Sequence, residues 1–273
     1  MRMRPHLTPV ADNVPSVPNY LAQGAECELF ARTHAAGLPL LLKGPTGCGK
    51  TRLVEHMAAR LGRPLITVSG HDDLGAADLA GRFLIEGGDT RWVDGPLTRA
   101  VRLGALFYLD EVVEARKDIT VLLHPLADDR RVLPLERLGE QVSAAPGFQL
   151  VLSYNPGYQH LLKGLKPSTR QRFVALTLGY PAPELEARIV ASEGGVDADT
   201  AQQLVKLALH LRRLTEHDLE ETASTRLLVM AARLTRQGLG LSAAAQAAVI
   251  EALSDDDATL AALAELRRAV LGD

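Results

Sequence analysis

Short apolar runs alternate with helix-like patterns over the first two thirds of the sequence. Five runs are rich in Val, Ile and Leu and are apolar on both faces: 38–43, 64–69, 105–110, 148–155 and 173–178. Such runs, separated by long connections, are typical of parallel strands that are buried on both faces and joined by crossover helices. The pattern therefore predicts an α/β domain.

The pattern becomes helical after Pro181–Pro183. Apolar positions then recur at helical spacing, at Leu204, Val205, Ala208, Leu211 and Leu214. Ser224 and Ser242 precede two further apolar stretches, 225–237 and 243–253, and serine is a favoured N-cap residue. We therefore expect a second domain of four or five helices without strands.

Two stretches interrupt the alternation in the α/β domain. Residues 81–95 predict a hairpin around a Gly-Gly pair, and residues 130–144 predict another before the fourth strand. Insertions at such places often carry partner contacts, although ordinary surface loops would give the same pattern.

Charge differs between the two predicted domains. The 273-residue chain has a net charge of −3, but residues 1–181 hold 21 basic and 18 acidic residues, whereas residues 182–273 hold 9 and 15. The modest total is thus the sum of a basic and an acidic part. We place the domain boundary where the balance of charge changes, with the α/β domain at 1–181 and the helical domain at 182–273.

Composition narrows the class of protein. A hydrophobic fraction of 47% and a charged fraction of 23% are typical of a soluble globular chain. The near-neutral charge and 4% aromatic residues argue against a nucleic-acid partner. Two cysteines form no disulfide framework, and no apolar run reaches the length of a membrane span. The N-terminal segment has no apolar core of the kind that a signal peptide needs. We expect a cytoplasmic protein.

One segment matches the phosphate-loop pattern G-x-x-x-x-G-K-[ST] without a mismatch. It lies between a predicted strand and an amphipathic helix, where backbone N–H groups surround phosphate oxygens at a helix N-terminus. Lysine in this pattern reaches the β- and γ-phosphates of ATP, and the last hydroxyl binds Mg²⁺. The eight residues are Gly44, Pro45, Thr46, Gly47, Cys48, Gly49, Lys50 and Thr51.

The third predicted strand ends in two acids, Asp110 and Glu111. Such a pair is often only a solvated strand end, but here it follows a phosphate loop by about 60 residues. Asp110 is then expected to hold Mg²⁺ through water. Glu111 is expected to orient and deprotonate the attacking water.

Four further polar residues are candidates for contact with the γ-phosphate. Asn155 ends the next strand at the same sheet edge, although it could simply start a turn before Pro156. Arg170 and Arg172 precede the last strand and could stabilise the charge of a neighbouring subunit's nucleotide, or could be surface charge. Arg226 begins a helix of the second domain and could reach the γ-phosphate or lie on the helix surface.

In this order, the motifs resemble the AAA+ ATPases, and among them the MoxR group. The resemblance implies a P-loop core with a five-stranded parallel sheet, a C-terminal all-α lid, and a ring, usually hexameric, with ATP at subunit interfaces. It makes Lys50 and Thr51 Walker A residues and Asp110 and Glu111 Walker B residues. Asn155 then corresponds to sensor 1, Arg172 with Arg170 corresponds to the arginine finger, and Arg226 corresponds to sensor 2. The predicted hairpins correspond to the helix-2 and pre-sensor-1 inserts.

A narrower resemblance is to the CbbQ/NorQ subgroup. It is carried by blocks such as LLKGPTGCGKTRLVEHMAARLGRPL, GHDDLGAADLAGRF, YLDEVVEAR and SYNPGYQHLLKGLKPSTRQRF. The sequence differs from the subgroup at 84–86 and 161–164. These differences do not touch the nucleotide chemistry but could bear on the choice of partner.

The resemblance implies an ATP-driven remodelling motor. A CbbQ-type protein acts with a CbbO partner, which carries a von Willebrand factor A domain, to release inhibitory sugar phosphates from Rubisco. The alternative within the subgroup is a NorQ-type factor for nitric oxide reductase maturation. An alternative of another class is a nucleotide-gated adaptor without productive turnover, against which Glu111 and the arginine pair argue.

Overall fold

The structure is a computed structural model that describes residues 17–156, 165–215 and 222–272. The described residues fall into two compact units. The first comprises 17–20, Gly24–Lys43 and Lys50–Thr177; the second comprises Leu21–Gln23, Gly44–Gly49 and the chain from Leu178 onward. The predicted domain limits at 181 and 182 stay a prediction.

The five apolar runs form one parallel sheet in the first unit, as predicted. The helices and strands of this unit, in chain order, are α1 (Glu26–Ala35), β1 (Leu40–Lys43), α2 (Lys50–Arg60), β2 (Leu65–Ser69), α3 (Ala76–Ala80), β3 (Gly81–Glu86), β4 (Asp89–Asp94), α4 (Pro96–Leu103), β5 (Leu106–Asp110), α5 (Thr120–Ala127), β6 (Val132–Leu135), β7 (Glu140–Ser143), β8 (Gln149–Tyr154), α6 (Pro167–Arg170) and β9 (Val174–Thr177). The strand order in the sheet is β2-β5-β8-β1-β9, with neighbouring strands parallel throughout.

The sheet is the core of the first unit. Every residue of β8 is buried, as are the first four residues of β5 and the three leucines of β1. Because side chains alternate between the faces of a strand, burial on both faces requires apolar residues at nearly every position. This explains why continuous apolar runs predicted β1, β5 and β8, whereas the edge strands β2 and β9 are only partly buried.

Both predicted hairpins are present. Strands β3 and β4 pair in antiparallel fashion from Gly81 opposite Asp94 to Glu86 opposite Asp89, and β6 pairs with β7. In the first hairpin Phe83 packs edge-on against Trp92, with 5.1 Å between ring centroids. The side chain of Ile85 is 80% exposed. The proposed role of these hairpins in partner contacts stays a prediction.

The second unit contains helices and no strand among its described residues, as predicted. Its helices are α7 (Pro183–Gly194), α8 (Ala198–Thr215), α9 (Thr225–Arg236), α10 (Leu241–Ala245) and α11 (Asp257–Leu271). They share a core of small and aliphatic side chains. Of the apolar positions predicted on α8, the first four are buried, whereas Leu214 is 47% exposed. Across the described ranges, no helix combines the length and apolarity that crossing a membrane requires.

One predicted cap is confirmed and the other is wrong. The Ser224 hydroxyl accepts a hydrogen bond from the Leu227 N–H at 3.4 Å and caps α9. Ser242 lies inside α10, because the N-cap of that helix is Gly240 and its first residue is Leu241. Its hydroxyl instead donates to the carbonyl of Gly272. The predicted single helix over 243–253 is also replaced by α10 and a π-helical turn at Gln246–Ile250.

Candidate active site

Two predicted metal ligands meet at the carboxyl edge of the sheet. Thr51 lies in the first turn of α2 and Asp110 is the last residue of β5. The Thr51 hydroxyl donates a hydrogen bond to Asp110 Oδ2 at 3.0 Å. Residues 59 positions apart in the sequence are therefore joined side chain to side chain.

Ser153, which the sequence analysis did not single out, connects β8 with β5 at this edge. Its hydroxyl donates to Asp110 Oδ1 and accepts from the Tyr108 hydroxyl at 3.1 Å and from the Glu111 N–H at 3.2 Å. A hydroxyl offers one donor and two acceptor positions, and all three are used here. Ser153 therefore fixes the orientation of the Asp110 carboxylate.

Tyr108 is the second residue that the sequence analysis missed. Burial, with the nearby Asp110 carboxylate, raises the pKa of Tyr108 well above its usual value, so its hydroxyl stays protonated and donates to Ser153. The only sequence signal for either residue is a polar group inside an otherwise apolar strand. Such a group needs a buried partner, but the strand alone does not say which.

Glu111 has a left-handed backbone, with φ of 53°. A non-glycine residue in this region costs about 1–3 kcal/mol and persists where the surroundings hold it in place. Here the Gly70 N–H, just beyond β2, donates to the Asp110 carbonyl at 2.7 Å. A Cβ on Gly70 would lie only 2.2 Å from the Glu111 carbonyl oxygen. The close approach holds the backbone of Glu111 in place at the end of β5.

We expect Gly70→Ala both to destabilise the fold and to lower the rate of ATP turnover. The new methyl group would collide with backbone rather than with a flexible side chain, and overpacking of this kind costs about 1–3 kcal/mol. Urea unfolding would measure the loss, and ATP turnover would fall because the Glu111 backbone must shift. The control is Gly179→Ala, at a position with open space and no left-handed φ. Equal stability of the two variants would contradict this account of the Gly70 contact.

The phosphate-loop residues Gly44–Gly49 belong to the second unit, where they approach the start of α9. Gly47 has φ of +70°, and a Cβ there would lie 2.7 Å from the Cβ and Oγ of Ser224 and 3.3 Å from the Cβ of Arg226. The loop can pass the helix only because this residue is glycine. The structure thus places the predicted Arg226 beside the predicted phosphate loop.

Lys50 and Asn155 are two further candidate residues, and their roles toward the nucleotide stay predictions. Lys50 is the first residue of α2 and is only 9% exposed. Asn155 follows the last residue of β8 and is half-buried. Both belong to the first unit, as do Thr51 and Asp110.

The predicted arginine pair lies on an exposed segment. Arg170 ends α6, and Arg172 follows it and donates to the Ser168 carbonyl. His124 of α5 holds this segment through a 2.9 Å hydrogen bond to the buried Thr169 hydroxyl. Burial and the nearby Arg172 lower the pKa of His124. Both arginines are therefore exposed on an anchored segment, and their predicted role stays a prediction.

The donor set at the sheet edge fits Mg²⁺. A hydroxyl and carboxylate oxygens are hard ligands of the kind that this ion prefers. Over the described part of the chain there is no cluster of three or more His, Cys, Asp and Glu side chains that could enclose a metal ion. Mg²⁺ commonly needs only one or two protein ligands when substrate phosphates and water supply the others.

Two family models match the chain. Residues 39–173 match the AAA domain of the dynein-related subfamily, and residues 186–270 match the CbbQ/NirQ/NorQ C-terminal domain. The two matches correspond to the sheet-containing and the helical parts of the sequence.

Comparisons with individual proteins agree with the family models. The chain is 59% identical to protein NorQ of Paracoccus denitrificans over 99% of this chain and 100% of the relative. It is 56% identical to protein CbbQ of Hydrogenophilus thermoluteolus over 89% of this chain and 91% of the relative. A RuvB mutant from Thermotoga maritima has a similar fold, with a TM-score of 0.57 at 16% identity over 92% of this chain and 72% of that one.

Proposed function

Because the chain belongs to the CbbQ/NirQ/NorQ family of AAA ATPases, we propose that it couples ATP hydrolysis to the remodelling of another protein in the cytoplasm. The contact between the Thr51 hydroxyl and Asp110, with Glu111 as the next residue, is the observation that supports this most strongly. It assembles a hydroxyl, a carboxylate and a potential base at one sheet edge.

We assign the phosphate contacts to the loop and its flanking residues. The N–H groups of the loop, together with the Lys50 ammonium group, bind the phosphate oxygens of ATP. Thr51 and Asp110 hold Mg²⁺, which neutralises phosphate charge when bound. Arg226, beside Gly47, contacts the γ-phosphate.

Hydrolysis then needs a base and a stabilising positive charge. Glu111 takes a proton from water as the water oxygen bonds to the γ-phosphorus. The bond from that phosphorus to the β–γ bridging oxygen breaks, and ADP and phosphate result. Asn155 orients the water or the γ-phosphate. Arg172, with Arg170, stabilises the transferred group from a neighbouring subunit, which requires a homo-oligomer; we propose a hexameric ring.

Replacing Lys50 with alanine should abolish useful nucleotide binding. Hydrogen bonds to charged groups contribute about 1.5–3 kcal/mol each, and Lys50 is expected to contact two phosphates. The affinity for ADP or ATP should therefore fall by about 100-fold or more. Fluorescence titration with a labelled nucleotide measures this effect.

The matched control for this titration is Lys206→Ala, which removes an exposed lysine of α8. It should bind nucleotide like the wild type. Tight ATP retention by Lys50→Ala would rule out the phosphate-binding role of the loop.

For the client, we propose Rubisco, acting with a CbbO-like partner that carries a von Willebrand factor A domain. The support is the similarity to protein CbbQ and the resemblance of the sequence blocks to that subgroup. Release of an inhibitory sugar phosphate would require mechanical distortion of the Rubisco active site, which ATP turnover by a ring could supply.

Nitric oxide reductase is the second candidate client. It is favoured by the NorQ relative, whose identity of 59% extends over its full length. The nucleotide chemistry is the same for both clients, so only a client-level assay separates them.

A Rubisco reactivation assay tests the proposed client. Inhibited Rubisco is mixed with this chain, ATP and the CbbO-like partner, and carboxylation is followed with time. Recovery with the wild type, but not with Glu111→Gln, would support the Rubisco assignment. No recovery, combined with inactive nitric oxide reductase in cells lacking this chain, would favour the second client.

A further inference from the structure

Tyr180 contacts the phosphate loop directly, although it lies 134 residues further along the chain. Its hydroxyl donates a hydrogen bond to the Thr46 carbonyl oxygen at 3.0 Å. Both residues belong to the second unit. Burial raises the pKa of Tyr180 to about 12, so the hydroxyl carries its proton and acts as the donor at neutral pH.

The Thr46 carbonyl shares a peptide plane with the Gly47 N–H. In a trans peptide the C=O and N–H bonds point in opposite directions, and no cis bond occurs in the described residues. A hydrogen bond that fixes the Thr46 carbonyl toward Tyr180 therefore directs the Gly47 N–H to the opposite side. Glycine at position 47 would also tolerate the flipped peptide, so something outside the loop must select one orientation.

A buried ion pair holds Tyr180 in place. The Arg212 guanidinium lies 3.9 Å from the centroid of the Tyr180 ring. The same group pairs through two 2.7 Å hydrogen bonds with Glu186, which is fully buried. Bidentate pairing of this kind fixes the plane of the guanidinium and hence the surface on which the tyrosine ring rests.

The same ion pair also fixes the other neighbour of Gly47. Arg212 Nε donates to the Ala223 carbonyl at 2.8 Å, and the Thr225 hydroxyl donates to Glu186. These two contacts flank Ser224, whose side chain lies against Gly47. The Thr46–Gly47 peptide is thus confined both by Tyr180 and by the start of α9.

We propose that Tyr180, held by Arg212 and Glu186, is a positioning residue that sets the Thr46–Gly47 peptide so that the Gly47 N–H faces the nucleotide phosphates. The proposal rests on the phosphate-binding role of the loop given above. Tyr180 contacts the loop carbonyl and acts on the nucleotide only through that peptide.

Tyr180→Phe removes the hydroxyl and keeps the ring against Arg212. We expect ADP to bind about 3- to 10-fold more weakly, the effect of losing one well-oriented hydrogen bond. The control is Thr98→Val, which removes another buried hydroxyl that donates to a backbone carbonyl, that of Ala80 at 2.6 Å. This control should bind labelled ADP like the wild type, even if both variants lose similar stability toward urea.

The Gly47 amide resonance gives a readout that a purely structural role would not change. In the wild type, ADP should shift this resonance strongly because the N–H gains a charged acceptor. In Tyr180→Phe the shift should shrink. A wild-type ADP affinity and Gly47 shift in Tyr180→Phe would overturn the proposal, as would an equal loss of affinity in Thr98→Val.

Failure of this proposal can be told apart from failure of the proposed function. If Lys50→Ala abolishes ADP binding while Tyr180→Phe binds normally, the phosphate loop is retained and only the role of Tyr180 is lost. If Lys50→Ala binds ADP normally, the phosphate-loop assignment itself fails and the role of Tyr180 fails with it.

Discussion

Arg172→Ala should lower ATP turnover by about 10³- to 10⁵-fold, the effect expected when an arginine that stabilises phosphoryl transfer is removed. The side chain is exposed at the end of the anchored α6 segment, so its removal should leave the fold intact. Nucleotide binding should persist, because the phosphate loop of the same subunit is unchanged.

Mixing of variants tests whether this arginine acts between subunits. Arg172→Ala subunits keep Glu111, and Glu111→Gln subunits keep Arg172, so a mixed ring can contain complete sites. Turnover should rise above that of either variant alone. Arg233→Ala, which removes an exposed arginine on α9, serves as the control and should keep wild-type turnover. Failure to recover activity on mixing would contradict action across an interface.

Glu111→Gln should slow ATP cleavage by about 10²- to 10⁴-fold while leaving ATP bound, because an amide cannot accept the proton of the attacking water. The substitution keeps side-chain size, and the left-handed backbone at this position is held by Gly70 rather than by the carboxylate. Binding and cleavage are therefore expected to separate in this variant.

Equilibrium binding and steady-state phosphate release measure the two effects. Glu114→Gln makes the same chemical change in the following turn, Val112–Glu114, and should cleave ATP at the wild-type rate. If the wild type hydrolysed ATP no faster than Glu111→Gln, the protein would be a nucleotide-gated adaptor rather than a motor.

The sequence predicted the strands and the phosphate loop because both depend on local residues. A strand buried on both faces requires a continuous apolar run, and the loop requires glycines at fixed spacing before a lysine. Asp110 could likewise be located, because a parallel sheet brings the carboxyl ends of its strands to one edge.

The contacts around Asp110 could not be predicted, because they depend on which strands are neighbours. Ser153 reaches Asp110 because β8 lies beside β5, with Leu152 opposite Leu109. Gly70 meets Glu111 because β2 lies on the other side of β5, with Ser69 opposite Asp110. Strand order is a property of the whole fold and is not written in any single segment.

The incorrect N-cap shows a different limit. Ser242 has a favoured capping side chain, but the conformation of Gly240 decides where α10 begins. The hydroxyl then finds a partner at the end of α11, 30 residues away. A serine caps a helix only when its own backbone is non-helical, as at Ser224, and tertiary contacts settle that conformation.

Single-turnover cleavage of ATP by excess protein tests the central claim most directly, namely that Lys50 binds the phosphates and Glu111 activates the water. The wild type should convert bound ATP to ADP, Glu111→Gln should retain it uncleaved, and Lys50→Ala should bind none at the same concentration. Cleavage by Glu111→Gln at the wild-type rate, or retention of ATP by Lys50→Ala, would contradict the account.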